Sequence, residues 1–415
     1  MRRAEAEGTT VRAVGAGHSW SDAALTDGYL VLPDRLGGIV DVDGRLVRVL
    51  GGTHLRDLNA ALDARGLALP QMGGYDEQTI AGVVSTSTHG SGLNWGPFPD
   101  FVRSLELVVA GGEVVQIERD DPRFDAAVCG MGTLGLIHSL VIEVREKFWL
   151  HEVRTVDTWE RVRETVTPAG VLGEGDHYEL FVNPYAGKDG EHRLVVTRRS
   201  DCPEPEGEPK DRLERNPLTE LESKLPITGV LLRFAARHWP ALLAWRFDSV
   251  LAGMADDAYD NVSYKVFNIG EANKLPAVSM ELGVTLEGDR HLEAVDHILA
   301  IAARRRKEEK LVHTSPIALR FVAPSRAWAS MMQGQPTMMI ELILVNGTRG
   351  GDALLAGYEE ELADLGVRPH WGQINALTPA RVRELYPRWE EWLAVERELN
   401  ASGVFDSPFT RRVDI

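Results

Sequence analysis

Residues 11–20 read "VRAVGAGHSW". A β-branched run ends in Gly15-Ala16-Gly17 and is followed at once by His18 and Ser19. A strand that ends this way presents backbone N–H groups with no side chains in front of them, which suits close approach of a pyrophosphate. A nicotinamide-binding fingerprint would need a third glycine at position 20 and a helix after it. Trp20 stands there instead, and "SDAALTDG" is a poor helix former, so that reading fails. Taken alone, His18 reads as a turn histidine bonded to nearby backbone.

Two more segments change that. "QTIAGVVSTSTHGSG", residues 78–92, combines hydroxyls, glycines and a histidine with almost no bulk, and offers Thr86, Ser87 and Thr88 as donors to an anionic ligand. "CGMGTLGLIHSLVIEV", residues 129–144, sets three glycines just before a strand. Three separated glycine-rich segments in one region point to a single extended cofactor rather than three unrelated turns.

Bulk properties limit what that cofactor serves. A chain of 415 residues exceeds the size at which one core stops growing, so two domains are expected. The formal charge of −17, with no basic stripe to offset it, repels nucleic acid and anionic membrane surfaces, and neither is expected as a partner. The opening "MRRAEAEGTT" leads into no apolar signal region, and no apolar run approaches the roughly 20 residues that span a bilayer. A soluble, cytoplasmic protein is expected. Cys129 and Cys202 are too few and too far apart for a disulfide framework or a thiolate metal site, and no metal is expected.

From 11 to 145, short Val/Ile/Leu-rich runs alternate with glycine turns, and "RLVRVLGG" and "EVVQIERDD" show period-two alternation, so this half reads as strands. Between them "THLRDLNAALDARGLALP" has helical spacing, with Thr53 as its N-cap and Gly66 as its stop. The Pro/Glu-rich "SDCPEPEGEPKDRLERNP", 200–217, reads as a solvated loop. Around it, "LRFAARHWPALLAWRFDSVLAGM" and "HLEAVDHILAIAARRRKEEK" read as helices, and "VSMELGVTLEG" and "PTMMIELILVNG" as strands. That order suggests a sheet with helices on one face, and an α+β chain.

"VRAVGAGHS", "TIAGVVSTSTHGSG", "GTLGLIHSLVIEV" and "RPHWGQINALTPARVRELYPRWEEWLAV" together resemble the aldonolactone and alditol oxidases of the vanillyl-alcohol-oxidase superfamily of flavoproteins. The resemblance implies a two-domain fold: an FAD-binding domain over 1–147, a substrate (cap) domain with a large antiparallel sheet over 148–365, and a C-terminal segment, 366–415, returning to the FAD domain. It implies FAD held covalently through His18. Gly15, Ala16, Gly17 and Ser19 would wrap the pyrophosphate with Thr79, Gly82, Thr86 and His89, and Ile137 would lie against the adenosine. Relatives carry a strand and helix ahead of the glycine motif. Here only ten residues precede "VRAVGAG": either the start codon is misassigned or the flavin domain has lost an outer layer, a loss that would expose apolar surface on the sheet.

The resemblance also locates the chemistry. Relatives use a Glu-x-Arg pair on a strand and the lysine of a His-Trp-Gly-Lys motif. The matching stretches here, "SPIALRF" and "RPHWGQIN", keep Arg320 and His370 but hold Ala318 for the glutamate and Gln373 for the lysine. Glu341 in "MMIELILV" is a candidate replacement carboxylate, its face undecided by sequence. His370 and Trp371 would support the flavin face, and Gly73 in "QMGGYDE" would leave oxygen a path to it. The expectation is an oxidase that takes hydride from a CH–OH donor and passes electrons to dioxygen. Its small-molecule donor would be an alcohol or lactone-like compound less polyhydroxylated than the usual polyols. A dehydrogenase with another acceptor, or a non-catalytic FAD-binding protein, are the alternatives.

Overall fold

The structure, a computed structural model, describes all residues except 208, 210, 212–225, 256–257 and 271–275. The glycine motif follows β1 (Val11–Ala13), which pairs in parallel with β2 (Tyr29–Val31). A short helix, Arg2–Glu7, precedes it and buries Ala4, while Leu25, Leu30 and Leu32 are exposed. Next come β3 (Ile39–Asp43), β4 (Leu46–Leu50), β5 (Leu67–Ala68), β6 (Val102–Val108), β7 (Val114–Glu118), β8 (Leu136–Glu143) and β9 (Arg145–Glu146). Five of them form an antiparallel sheet in the order β3-β4-β8-β6-β7, and β5 pairs with β9. Alternation decides the faces, as in β4, where Val47 and Val49 are fully buried.

The expected helix runs over Leu55–Asp63 and buries Leu55, Leu58 and Leu62. Its N-cap is His54, not Thr53. The Thr53 hydroxyl is already committed, donating to the Leu50 carbonyl at 2.6 Å and accepting from the Gly38 N–H at 2.9 Å.

The remaining strands are β10 (Trp149–Thr158), β11 (His177–Val182), β12 (Arg193–Cys202), β13 (Tyr259–Val262), β14 (Ala277–Thr285), β15 (Ile317–Val322), β16 (Thr337–Val345) and β17 (Arg368–Pro369). They form one eight-stranded antiparallel sheet, β13-β10-β12-β11-β15-β16-β14-β17. On one face Leu180, Leu282, Leu319 and Ile340 share a core with Ile298 and Leu299 of the helix Arg290–Glu308 and Leu354 and Tyr358 of Gly351–Glu361. The opposite face carries Glu179, Glu281, Arg320 and Glu341, one residue out of phase with that core. The stretch expected as a loop at 200–217 begins inside β12, continues as exposed or half-buried coil through 203–207, and otherwise lies largely outside the described residues.

The C-terminal helices Pro379–Leu385, Trp389–Leu399 and Pro408–Val413 pack into the same core as the five-stranded sheet. Trp371, Trp389 and Trp392 stack in sequence there, at 5.9 and 4.7 Å between rings. Arg12, almost wholly buried, donates to the carbonyls of Gly132 (2.8 Å), Met131 (2.7 Å) and Phe405 (3.2 Å). One guanidinium so ties the glycine motif to two distant segments. Cys129 and Cys202 are free.

Candidate active site

A cavity of about 1400 Å³ runs from the glycine motif to the charged face of the large sheet. Gly15, Ala16, Gly17, His18, Ser19, Gly73, Thr79, Gly82, Thr86, His89 and Ile137 line it, as do Arg320, Glu341, His370 and Gln373. Residues as far apart in the sequence as Gly15 and Gln373 therefore meet in one space. The Ser19 hydroxyl donates to the Gly372 carbonyl at 2.7 Å, and the Trp20 N–H to the same oxygen at 2.9 Å, which joins the glycine motif to the C-terminal segment. Thr79 caps the helix Ile80–Ser85, its hydroxyl accepting from the Gly82 N–H at 3.3 Å. An added Cβ on Gly15 would overlap that hydroxyl, so glycine is required by close approach. Gly17 has φ +67°, a conformation costly for other residues. The His18 ring stacks on Tyr75 at 4.5 Å, and burial lowers its pKa, favouring neutral imidazole.

At the other end, strand register assembles the charges. Arg320 on β15 sits directly opposite Glu179 on β11, and Glu341 on β16 sits opposite both Ala318 on β15 and Glu281 on β14. Arg320 donates from Nε to Glu179 Oε1 at 2.8 Å and from Nη1 to Glu341 Oε2 at 2.8 Å, with Glu281 Oε1 3.9 Å from Nη1. Nη2 has no protein partner among the described residues. Arg199 braces Glu179 from behind at 3.3 Å and bonds Glu152 at 2.7 Å. Burial penalises every charge here, and the three carboxylates more than offset it for Arg320, whose pKa is raised. For Glu341, burial raises the carboxyl, Arg320 opposes and Glu281 reinforces, and the result is a raised pKa. Glu281 goes the other way: burial would raise it, but His89, then His370 and Arg320, hold it at about 2. Two facing carboxylates with opposite shifts divide into a permanent anion and a titratable group.

The Glu281 carboxylate lies 3.3 Å from His89 Nε2. His89 Nδ1 lies 2.9 Å from the Gly90 carbonyl, which can only accept, so Nδ1 carries a proton. His370 Nδ1 accepts from the Gly372 N–H at 2.9 Å, leaving its proton on Nε2, and burial lowers its pKa to about 4. Where no metal was expected, His89, Glu281 and His370 form a buried group whose ligand-type atoms all lie within 4.8 Å of one another.

Ser87 does not reach the cavity. Its backbone takes φ +57°, and its hydroxyl turns inward to Ser330 at 2.8 Å. Trp371, expected beneath the flavin, is instead fully buried in the aromatic stack and donates to the Ala329 carbonyl at 2.6 Å. Glu179 and Glu281 were missed; their signal was period-two alternation in "HYELFV" and "VSMELGV", which sets each glutamate out of phase with an apolar face. Ala318 packs in an apolar group with Phe181, Val195 and Leu251.

The cavity suits a dinucleotide. Its volume exceeds the roughly 300–1,000 Å³ of ordinary ligand pockets, its glycine wall admits close backbone approach, and the buried Gln373 Oε1 within it has no hydrogen-bond partner among the described residues. Residues 1–118 match the FAD binding domain family, and residues 140–413 match the D-arabinono-1,4-lactone oxidase family. The L-gulono-1,4-lactone dehydrogenase of Mycobacterium tuberculosis is 32% identical over 100% of this chain and 92% of its own length. The alditol oxidase of a Streptomyces species is 28% identical, over 95% of this chain and 88% of its own. The crystal structure of cholesterol oxidase from Brevibacterium sterolicum superposes with a TM-score of 0.80 over 99% of this chain and 90% of that one, at 14% identity. Fold and site define a two-domain FAD-dependent oxidoreductase of the vanillyl-alcohol-oxidase type. Within that class, the chain belongs to the D-arabinono-1,4-lactone oxidase family, enzymes acting on CH–OH groups.

Proposed function

We propose that this chain is an oxidase whose donor carries one oxidisable CH–OH group on a body more apolar than a polyol, with dioxygen as acceptor and FAD attached through His18. Residues 1–147 and 366–415 are assigned to the cofactor half and 148–365 to the donor half. The observation that carries the reading is the relocated carboxylate. Where relatives hold a glutamate, Ala318 lies in an apolar cluster, and Glu341 enters from the facing position of the next strand, bonded to Arg320.

When bound, FAD supplies the hydride-accepting centre. Glu341, with its raised pKa, accepts the hydroxyl proton as the donor loses hydride and becomes a carbonyl. Arg320 holds Glu341 in place and keeps a fixed positive charge where negative charge develops. Gln373 Oε1 accepts from the donor or cofactor without adding charge. Ala16, Gly15, Gly17, Ser19, Thr79, Gly82, Thr86 and Ile137 form the cradle, and His89 and His370 support it from the sheet side. Gly73, where an added Cβ would crowd the His89 carbonyl at 3.2 Å, would leave dioxygen an approach to the cofactor; its reduction to hydrogen peroxide would take two electrons and two protons, those removed from the donor. Anaerobic mixing with a donor panel tests this: alcohols with an apolar body bleach the flavin, xylitol and simple aldonolactones do so about 10²-fold more slowly, and air restores the colour within a turnover. Brisk bleaching by xylitol overturns the donor assignment, slow recolouring the acceptor, and no bleaching by any donor the catalytic reading itself.

A further inference from the structure

Half of the large apolar side chains exposed among the described residues fall between positions 230 and 250. All but Trp239, which lies between the first two, sit on three consecutive helices, Pro226–His238, Pro240–Trp245 and Phe247–Met254. Trp239 is 59% and Trp245 71% exposed, with Leu242 beside them and Phe234 edge-on to Trp239 at 5.5 Å. Trp239, Leu242 and Trp245 line a surface hollow whose other wall is Arg306, Lys310 and Arg349, and no acidic residue among those described lines it. Arg306 lies over the Tyr185 ring, and Lys310 donates to the Lys307 carbonyl. None of the three faces a carboxylate within ion-pair distance among the described residues. In a chain with 62 acidic and 45 basic residues, an apolar hollow walled by unpaired cations is a local inversion of the overall charge.

We propose that this face docks on a lipid bilayer bearing anionic headgroups. Indole rings favour the headgroup level, where an apolar body and a polar N–H are both satisfied. Unpaired Arg and Lys at that depth meet lipid phosphates, and the pairing of exposed apolar side chains with basic ones marks an interfacial surface rather than a spanning one. No helix among the described residues is long and apolar enough to cross a membrane. The face also adjoins the site: Leu232 and Arg233 line the large cavity, while their neighbours Leu231 and Phe234 are exposed. Docking therefore sets the cavity mouth beside the lipid surface.

Purified full-length protein with its flavin is sedimented with vesicles of phosphatidylcholine alone and of phosphatidylcholine with phosphatidylglycerol. It pellets with the anionic vesicles, less so as salt is raised, and its tryptophan emission shifts to the blue. Trp239→Ser with Trp245→Ser loses pelleting. Lys310→Glu with Arg349→Glu, changes at two exposed side chains, lowers partitioning about tenfold or more without altering flavin absorbance. Absence of pelleting with either vesicle, or variants that pellet like wild type, overturns the proposal. A wild-type dimer that the tryptophan variants dissociate, with no vesicle binding, assigns the face to a second copy of the chain and overturns it equally. None of these readouts depends on turnover, so the donor reading stands or falls separately.

Discussion

Under the proposed function, Glu341 supplies the carboxylate that position 318 does not: it faces Ala318 from the next strand and lies 2.8 Å from Arg320. Glu341→Gln should slow flavin reduction by about 10²-fold. Because burial raises the Glu341 carboxyl, the wild-type rate should fall as pH drops through that raised pKa, and the glutamine variant should lose this acid limb. Single-turnover reduction across pH decides it; a limb that survives the substitution removes Glu341 as the base. His18 has its own test. FAD should stay with the acid-precipitated polypeptide and be released by His18→Ala, whereas colour lost from the wild type to the supernatant would show that no bond forms. The motifs that singled out Arg320, Gln373 and His18 are contiguous in sequence, and all three residues line the one cavity. The place of Glu341 was half legible: alternation gives a strand residue its parity but not its facing partner. Alternation placed Glu179 and Glu281 opposite an apolar face but not in a site, because a strand glutamate so placed normally meets water, and here both are buried.

At the scale of elements, the glycine turn and the capped helix Ile80–Ser85 behave as one unit. Thr79 both caps the helix and lies where a side chain on Gly15 would have to go. Gly15→Ala should therefore cut flavin content sharply while leaving the fold intact. Thr79→Ala alone should cost about 1 kcal/mol of stability through the lost cap, and the double substitution should recover part of the flavin, since the hydroxyl that blocks the new methyl is gone. Flavin-to-protein absorbance ratios of the three variants check this; equal ratios in Gly15→Ala and wild type would show that the turn yields freely. Strands and the main helix were legible from periodicity because apolar residues recur at 2 or 3.6 positions regardless of what they pack against. The N-cap was misplaced at Thr53, since propensity alone does not reveal that a hydroxyl is engaged by a neighbouring loop. Ser87 was misassigned for a related reason: its φ of +57° turns the side chain away from the row of donors to which its sequence position assigned it.

Across the whole molecule, burial of histidine sets how the fold responds to acid. His313 and His177 are buried with pKa values lowered by desolvation to about 3 and about 4, and His370 likewise to about 4. In the unfolded chain each titrates near 6.5. Between those limits the unfolded state binds more protons than the folded one, so stability is full above about 6.5 and is lost as pH falls toward 4. Asp100 works against this, because burial raises it to about 6 and the folded state then holds its proton more tightly. Near pH 5 these three histidines favour unfolding on acidification and Asp100 opposes it, so these four groups alone leave a difference of about two protons. The melting temperature should accordingly drop steeply between about pH 6.5 and 4. His313→Phe, which removes the most deeply shifted group from outside the cavity, should flatten that slope by about one proton's worth even if it shifts the absolute value. Calorimetric melting curves at intervals across this range are the measurement. A melting temperature that stays level down to pH 4, or a slope unchanged in His313→Phe, would mean that the buried imidazoles take up protons without opening the fold.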